Sequence, residues 1–190
     1  MSAHIEQSAI EHEESNCDVK FLFENGQQIG GRVAMLAAKS PVFEAMFNHD
    51  MQESKTRQVN IKDVNPDTFE HLLFFMDSGK MKIPLTETLA QELYVASDRY
   101  AVIDLNEECI KFLQSSIKAE NVFSMLIWAH KYQVDKIKEN CVAFAVEKGS
   151  EIFLYNVAGW RELGECSSEL RQSLIKSIVN KVSDAVKFTL

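Results

Sequence analysis

The residues able to hold a metal are five histidines, His4, His12, His49, His71 and His130, and four cysteines, Cys17, Cys109, Cys141 and Cys166. Zinc sites draw their ligands from short spacings such as CxxC or HExxH, because two ligands must converge from one turn or loop. Here there is no HxH, HExxH or CxxC. His130 and Cys141 fall on neighbouring predicted helices, and one such pair does not make a tetrahedral set. Covalent chemistry is equally poorly provided. There is no G-x-S-x-G, and Ser40 stands directly before Pro41, where a serine caps a helix rather than attacks a carbonyl. Gly30-Gly31 lacks the further glycine of a phosphate-cradling loop. Carboxylates are plentiful but show no readable pairing. The reading is no enzyme, no metal and no cofactor.

Recognition is the remaining use for so many apolar side chains. The stretch "AMLAAKSPVFEAMF", Ala34 to Phe47, is small and apolar, breaks at Ser40-Pro41, then turns aromatic. The 190 residues suggest one domain, or one domain plus a smaller module. Hydrophobic residues make up 46% and charged residues 25%, enough to build a packed core. A net charge of −8 disfavours a grip on phosphate backbones, which takes clustered Lys and Arg. No apolar run approaches the ~20 residues of a membrane span. The start lacks the basic and apolar regions of a signal peptide. Scattered cysteines, two of them in apolar helical patterns, read as free, mostly buried thiols of a reducing compartment. The expected location is intracellular, in nucleus or cytoplasm.

The elements that must position these residues follow from periodicity. Residues 1–16 read as a polar N-terminal arm carrying Ile5 and Ile10. Val19, Phe21 and Phe23 alternate with polar or outward positions, the period of a half-buried strand. Asn25-Gly26 predicts a type I′ hairpin turn, and Gln27 to Ile29 returns as a second strand. A helix is expected near Arg32 and another at Pro41, capped by Ser40. "RQVNIKDV" reads as a third strand. Asn65-Pro66 opens a helix stopped by Gly79, and "KMKI" reads as a fourth short strand. Thr86, the Asp104–Glu107 pair and Asn121 are expected to cap later helices. Strands and helices thus mix over the first ~85 residues and helices fill the rest, an α+β pattern. The mildest break, "IKAENV", places a boundary near 118, between a domain of 17–118 and a helical segment of 119–190.

These residues resemble a known family. "CDVKFLF…GGRVAMLAAKSPVFEAMF…MQES…VNIKDVNPDTFEHLLFFMDSGKMKI…LYVASDRYAVIDLNEECIKFL" is similar, in order and spacing, to the BTB (POZ) domain. The continuation from Glu120 through the Gly159-Trp160 pair looks like the start of the helical BACK domain of the speckle-type POZ proteins. The chain departs from the family at Gly31-Arg32, where a His-Arg or His-Lys is usual, and at Asp77-Ser78-Gly79, where a Tyr-Thr-Gly is usual. Speckle-type proteins also carry a substrate-binding MATH domain upstream, for which the 16 residues before Cys17 are expected to leave no room.

The resemblance implies a non-enzymatic adaptor or regulator of a cullin-RING ubiquitin ligase. It implies homodimers, with Ile5, Ile10 and Met35 at the interface, and leaves open higher oligomers or heterodimers with related BTB proteins. It implies a cullin contact through Phe47, Met51, Glu53, Tyr100 and Asn121, in which "MQE" matches a hydrophobic-x-Glu motif. A second self-association surface is implied on the last helices, at Leu174, Ile175 and Ile178. The alternative is a transcriptional BTB dimer whose groove holds corepressor peptides. Neither reading involves direct contact with nucleic acid or membrane.

Overall fold

The structure, a computed structural model, describes residues 17–48, 52–149, 152 and 156–187. The chain divides into two compact units between Cys109 and Ile110.

The first unit is built around strand β1, Val19–Phe23, whose Val19, Phe21 and Phe23 are buried while Lys20 is exposed. That is the alternation expected when one face meets a core. Strand β2, Gln28–Gly31, pairs antiparallel to β1 with Phe21 opposite Ile29. Strand β3, Gln58–Ile61, pairs parallel with Phe21 opposite Val59, giving the order β2-β1-β3. The hairpin turn differs from the type I′ expectation, which needs positive φ at both Asn25 and Gly26. Of the two, only Gly26 takes it, at 83°. Gly26 N–H donates to Phe23 O and Phe23 N–H to Gln27 O. The loop is therefore one residue longer, with glycine alone supplying the left-handed step. At the end of β2, Gly31 answers a different constraint. A Cβ there would lie 2.8 Å from Phe21 Cε2 and 3.2 Å from Leu36 Cδ1.

Helices follow and cover this sheet: α1 (Val33–Lys39), α2 (Pro41–Asn48), α3 (Gln52–Thr56), α4 (Pro66–Ser78) and α5 (Glu87–Arg99), with α6 (Ile103–Ser115) containing the division at Cys109. Local chemistry explains most ends. Asn65 Oδ1 accepts from Asp67 N–H, Pro66 opens α4, and Gly79 closes it at φ 69°. Thr86 Oγ1 accepts from Leu89 N–H at the start of α5. Two expectations fail. Residues 80–83 are not a strand. The Ser78 hydroxyl contacts both Lys80 N–H and Lys80 O, and Lys82 pairs with Glu70 of α4, so local turn bonds replace a ladder. Helix α6 starts at Ile103, which puts Asp104 inside the first turn. The carboxylate there faces the helix dipole instead of forming a capping box.

The core is a ring cluster. Phe21 meets Phe43 edge-on at 5.8 Å and Phe69 at 4.8 Å, and Tyr100 stacks on Phe43 at 4.7 Å with 8° between planes. Ser40 locks this cluster. Its hydroxyl accepts from Phe43 N–H (3.1 Å) as the α2 cap and donates to Tyr100 O (2.5 Å) at the end of α5.

The second unit holds α7 (Val122–Lys131), α8 (Asp135–Lys148), α9 (Val157–Cys166) and α10 (Ser168–Lys187). Val122, Phe123, Met125, Leu126 and Ala129 of α7 are buried, as are Ile137, Cys141 and Ala145 of α8. Gln133 turns the chain between them with φ 56°. Arg171 of α10 lies over the Trp160 ring and against Gly164, whose missing side chain leaves it room.

Ser40→Ala removes a donor and an acceptor in the core and leaves Tyr100 O and Phe43 N–H unpaired. The expected cost is about 1–3 kcal/mol, read as a lower urea midpoint. An unchanged midpoint would show that other groups replace the hydroxyl.

Candidate protein-interaction surfaces

Among the described residues no cluster of three or more His, Cys, Asp or Glu could hold a metal ion. Cys109 is buried, and burial, with Glu108 second, pushes its thiol from an ordinary 9.0 up to about 12. It is a packing residue and not a nucleophile. Cys141 is likewise buried, while Cys17 and Cys166 are exposed, so two of the four thiols are on the surface. No described helix is long and apolar enough to cross a membrane.

Helix α1 is the most unusual surface element. Six of its seven residues, Val33 to Ala38, are apolar, yet only Leu36 is buried. Met35 is half-buried against the core, with Ala34 and Ala38 exposed beside it. The helix is fixed from outside itself. Asp18, just before β1, accepts from Val33 N–H at 2.7 Å, and Arg32 pairs with Asp77 of α4. Sequence reading missed both ties, since a cap supplied from 15 residues away leaves no local pattern. Ile5 and Ile10, expected beside Met35, lie outside the described residues.

The expected cullin contacts separate on inspection. Met51 lies outside the described residues. Glu53 is half-buried in the first turn of α3, and its carbonyl accepts from Arg57 N–H (3.0 Å), which closes the turn. Phe47 is buried and stacks on Phe43 at 6.1 Å, so it faces the core. Tyr100 is 5% exposed and packs as a core ring. Its position at the end of α5 turns it onto Phe43 and Phe69. Burial raises its phenol above the usual range, offset in part by Arg99, with neighbouring Asp63 adding the least. Asn121 is also buried, and it does not cap α7. Its Oδ1 accepts from Lys118 N–H (2.8 Å) and its Nδ2 donates to Ser116 O (2.9 Å), tying up the preceding turn.

On α10 the expected stripe splits into two flanks. Leu170 and Leu174 are buried and pack as core residues. Ile175 (42% exposed) and Val179 (57%) form the open flank, with Ile178 half-buried between the two.

One further feature escaped the sequence. A groove of about 460 Å³ runs between α1–α2, the end of α4 and the start of α6, lined by Ala37, Ala38, Pro41, Phe75, Ala101 and Ile103 among others. Ile103 at its edge is 68% exposed. The groove lies against the Ser40–Tyr100 lock, and Ala101 on its wall holds φ 51°.

Comparison with known proteins places the sequence among relatives. The mouse TD and POZ domain-containing protein 4 is 32% identical over 155 residues, covering 82% of this chain and 41% of that protein. The chain thus spans about two fifths of the length of this curated relative. Among solved structures, the BTB domain of human gigaxonin aligns at TM-score 0.46 and 22% identity, over 58% of this chain and 89% of that one. The BTB domain of zebrafish PATZ1 aligns at TM-score 0.47 and 22% identity, over 56% and 84%. The family model of the BTB/POZ domain matches residues 8–117, across the three-stranded sheet and the helices that cover it. The chain belongs to the BTB/POZ domain family, an α+β fold that serves as a protein-interaction module.

Proposed function

We propose that this chain is an adaptor or regulator of a cullin-RING ubiquitin ligase, acting as a homodimer in nucleus or cytoplasm, with a partial BACK-like segment after residue 118. The observation that carries the reading is the open apolar face of α1 in a domain whose family serves protein interaction. Exposed apolar surface next to a well-packed core marks a contact waiting for a chain. A two-fold contact uses one patch twice, so a single substitution removes two sets of contacts. Glu53, held in the first turn of α3 just after the Phe43–Phe47 helix, supports the choice of a cullin as partner. The open flank of α10 supports a second, weaker self-association through Ile175 and Ile178.

The groove beside Ile103 favours a second reading, a transcriptional BTB dimer that holds an extended corepressor peptide there. Its lining mixes apolar side chains with the charged Lys39, Glu44 and Asp104, a combination able to meet both side chains and ends of a peptide.

Light scattering tests the assembly. The parent chain is expected to be a dimer at tens of micromolar. Met35→Asp would bury two unpaired carboxylates near the two-fold axis and should give monomer. Ala38→Glu, on the same helix but exposed, is expected to keep the fold and likewise give monomer. Growth beyond dimer with concentration, lost in Ile175→Lys, supports the α10 contact. A parent that stays monomeric would refute the dimer.

Calorimetry against a cullin N-terminal domain tests the partner. An anchor that inserts into a partner's pocket, the role proposed for Met51, costs ~2 kcal/mol or more when truncated. Met51→Ala with Glu53→Ala should therefore weaken binding about 30-fold or more, with circular dichroism unchanged. Equal binding by the double variant would show the motif match to be chance. No binding by the parent would remove the ligase reading and favour the corepressor groove.

A further inference from the structure

The turn between β1 and β2 holds the groups for a reaction that needs no partner protein. An asparagine loses its side-chain nitrogen when the backbone nitrogen of the next residue attacks its Cγ. A following glycine favours the attack, because it puts no Cβ beside the forming ring. A following proline forbids it, because it has no N–H to give up. Of the ten asparagines in the sequence, Asn25 alone precedes a glycine, Asn65 precedes a proline, and the others precede larger residues.

The fold leaves Asn25 open to this attack. Residues 24–28 are all exposed. Beyond the chain neighbours of Gly26, no atom lies within 4 Å of the place its Cβ would take, so the ring has room. Asn25 Oδ1 accepts from Gln27 N–H at 3.0 Å, and Nδ2 donates to Gln27 Oε1 at 3.4 Å. The first of these bonds draws electrons from Cγ and holds the carboxamide on the side of the chain that follows it. One bond opposes the reaction: Gly26 N–H donates to Phe23 O at 3.0 Å. A single bond at a hairpin tip opens and closes locally, without unfolding of the core. Its net strength slows the reaction by about tenfold at most.

We propose that Asn25 is a self-modification site. Gly26 N bonds to Asn25 Cγ, the Cγ–Nδ2 bond breaks, and the Gly26 amide proton leaves with Nδ2 as ammonia. Water opens the resulting succinimide. Addition at Cγ gives aspartate. Addition at the Asn25 main-chain carbonyl carbon gives isoaspartate, with the chain rerouted through Cβ and Cγ. Either product is the asparagine plus water less ammonia, with nothing oxidised or reduced. Aspartate keeps the acceptor for Gln27 N–H but puts a new charge beside Glu24, on a chain already at −8. Isoaspartate adds one main-chain carbon to a loop whose length sets the register of β1 against β2. That register is the one that places Phe21 opposite Ile29.

The test holds the full chain at neutral and at mildly alkaline pH, beside a free peptide of residues 21–32. Peptide mass mapping, with fragmentation that separates isoaspartate from aspartate, follows Asn25 in both. In the folded chain Asn25 should convert within about tenfold of the free peptide's rate. Conversion should be faster at the higher pH and should yield isoaspartate. Asn60, equally exposed but followed by Ile61, should stay intact. Gly26→Ala strains a turn that needs φ 83°, yet it should react several-fold more slowly, because its methyl crowds the ring. An Asn25 that stays intact while the peptide converts would overturn the proposal. Conversion to aspartate alone would overturn it too, since that is hydrolysis without a ring. The isoaspartyl chain, isolated by chromatography, should exchange its amides faster over residues 19–31 than the parent, and equal exchange would refute the effect on register.

Discussion

The fold of the first unit depends on one hydroxyl. Ser40 sits where the chain turns from α1 into α2, and it is buried. A buried hydroxyl without partners is costly, so the position is tolerable only because both its donor and its acceptor are used. It accepts from Phe43 N–H and so starts α2. It donates to Tyr100 O and so pins the end of α5. The rings of those two partners then stack on each other, and Phe21 and Phe69 pack around them. Polar and aromatic contacts thus converge on Tyr100, sixty residues from Ser40 in the chain. The α1 face and the groove both lie against this junction, so a binding surface inherits its rigidity from the core and not from its own loop.

The caps and the strand alternation were legible because they are local. Ser40, Asn65 and Thr86 each bond a backbone N–H two or three residues on, and Gly79 takes the left-handed φ that ends α4. The strand at "KMKI" was misread because four alternating residues suit a turn as well as a ladder, and Ser78 supplied the turn. The Asp104–Glu107 spacing fits a capping box one residue after the point where packing actually starts the helix. Pattern alone does not set the starting residue.

The candidate surfaces were legible as stripes but not as faces. Helical spacing puts Leu174, Ile175 and Ile178 on one broad band. Only the packed neighbours decide that Leu174 turns inward and Ile175 outward. The burial of Tyr100 was illegible for the same reason, since a tyrosine at a helix end is equally at home in a core or on a surface. Asn121 and Asn156 are the opposite case. Both look like helix caps, and Asn156 is one, but their amides also bind a turn up to 37 residues away. Nothing in local spacing reports such a bond.

The missing side chain at Gly31 has a consequence for how sequences of this kind can change. The resemblance implies a histidine there, whereas here the space is filled by Phe21, Leu36 and Val19. Phe21 and Leu36 are wholly buried, so neither can swing aside into solvent. Small-to-large changes in so tight a site force strain on the surrounding side chains. A histidine could therefore enter only after Phe21 or Leu36 had become smaller, and a smaller residue at either position first opens a cavity. The two arrangements are separated by an intermediate worse than both. Order of substitution, rather than any single residue's merit, holds this chain to its glycine.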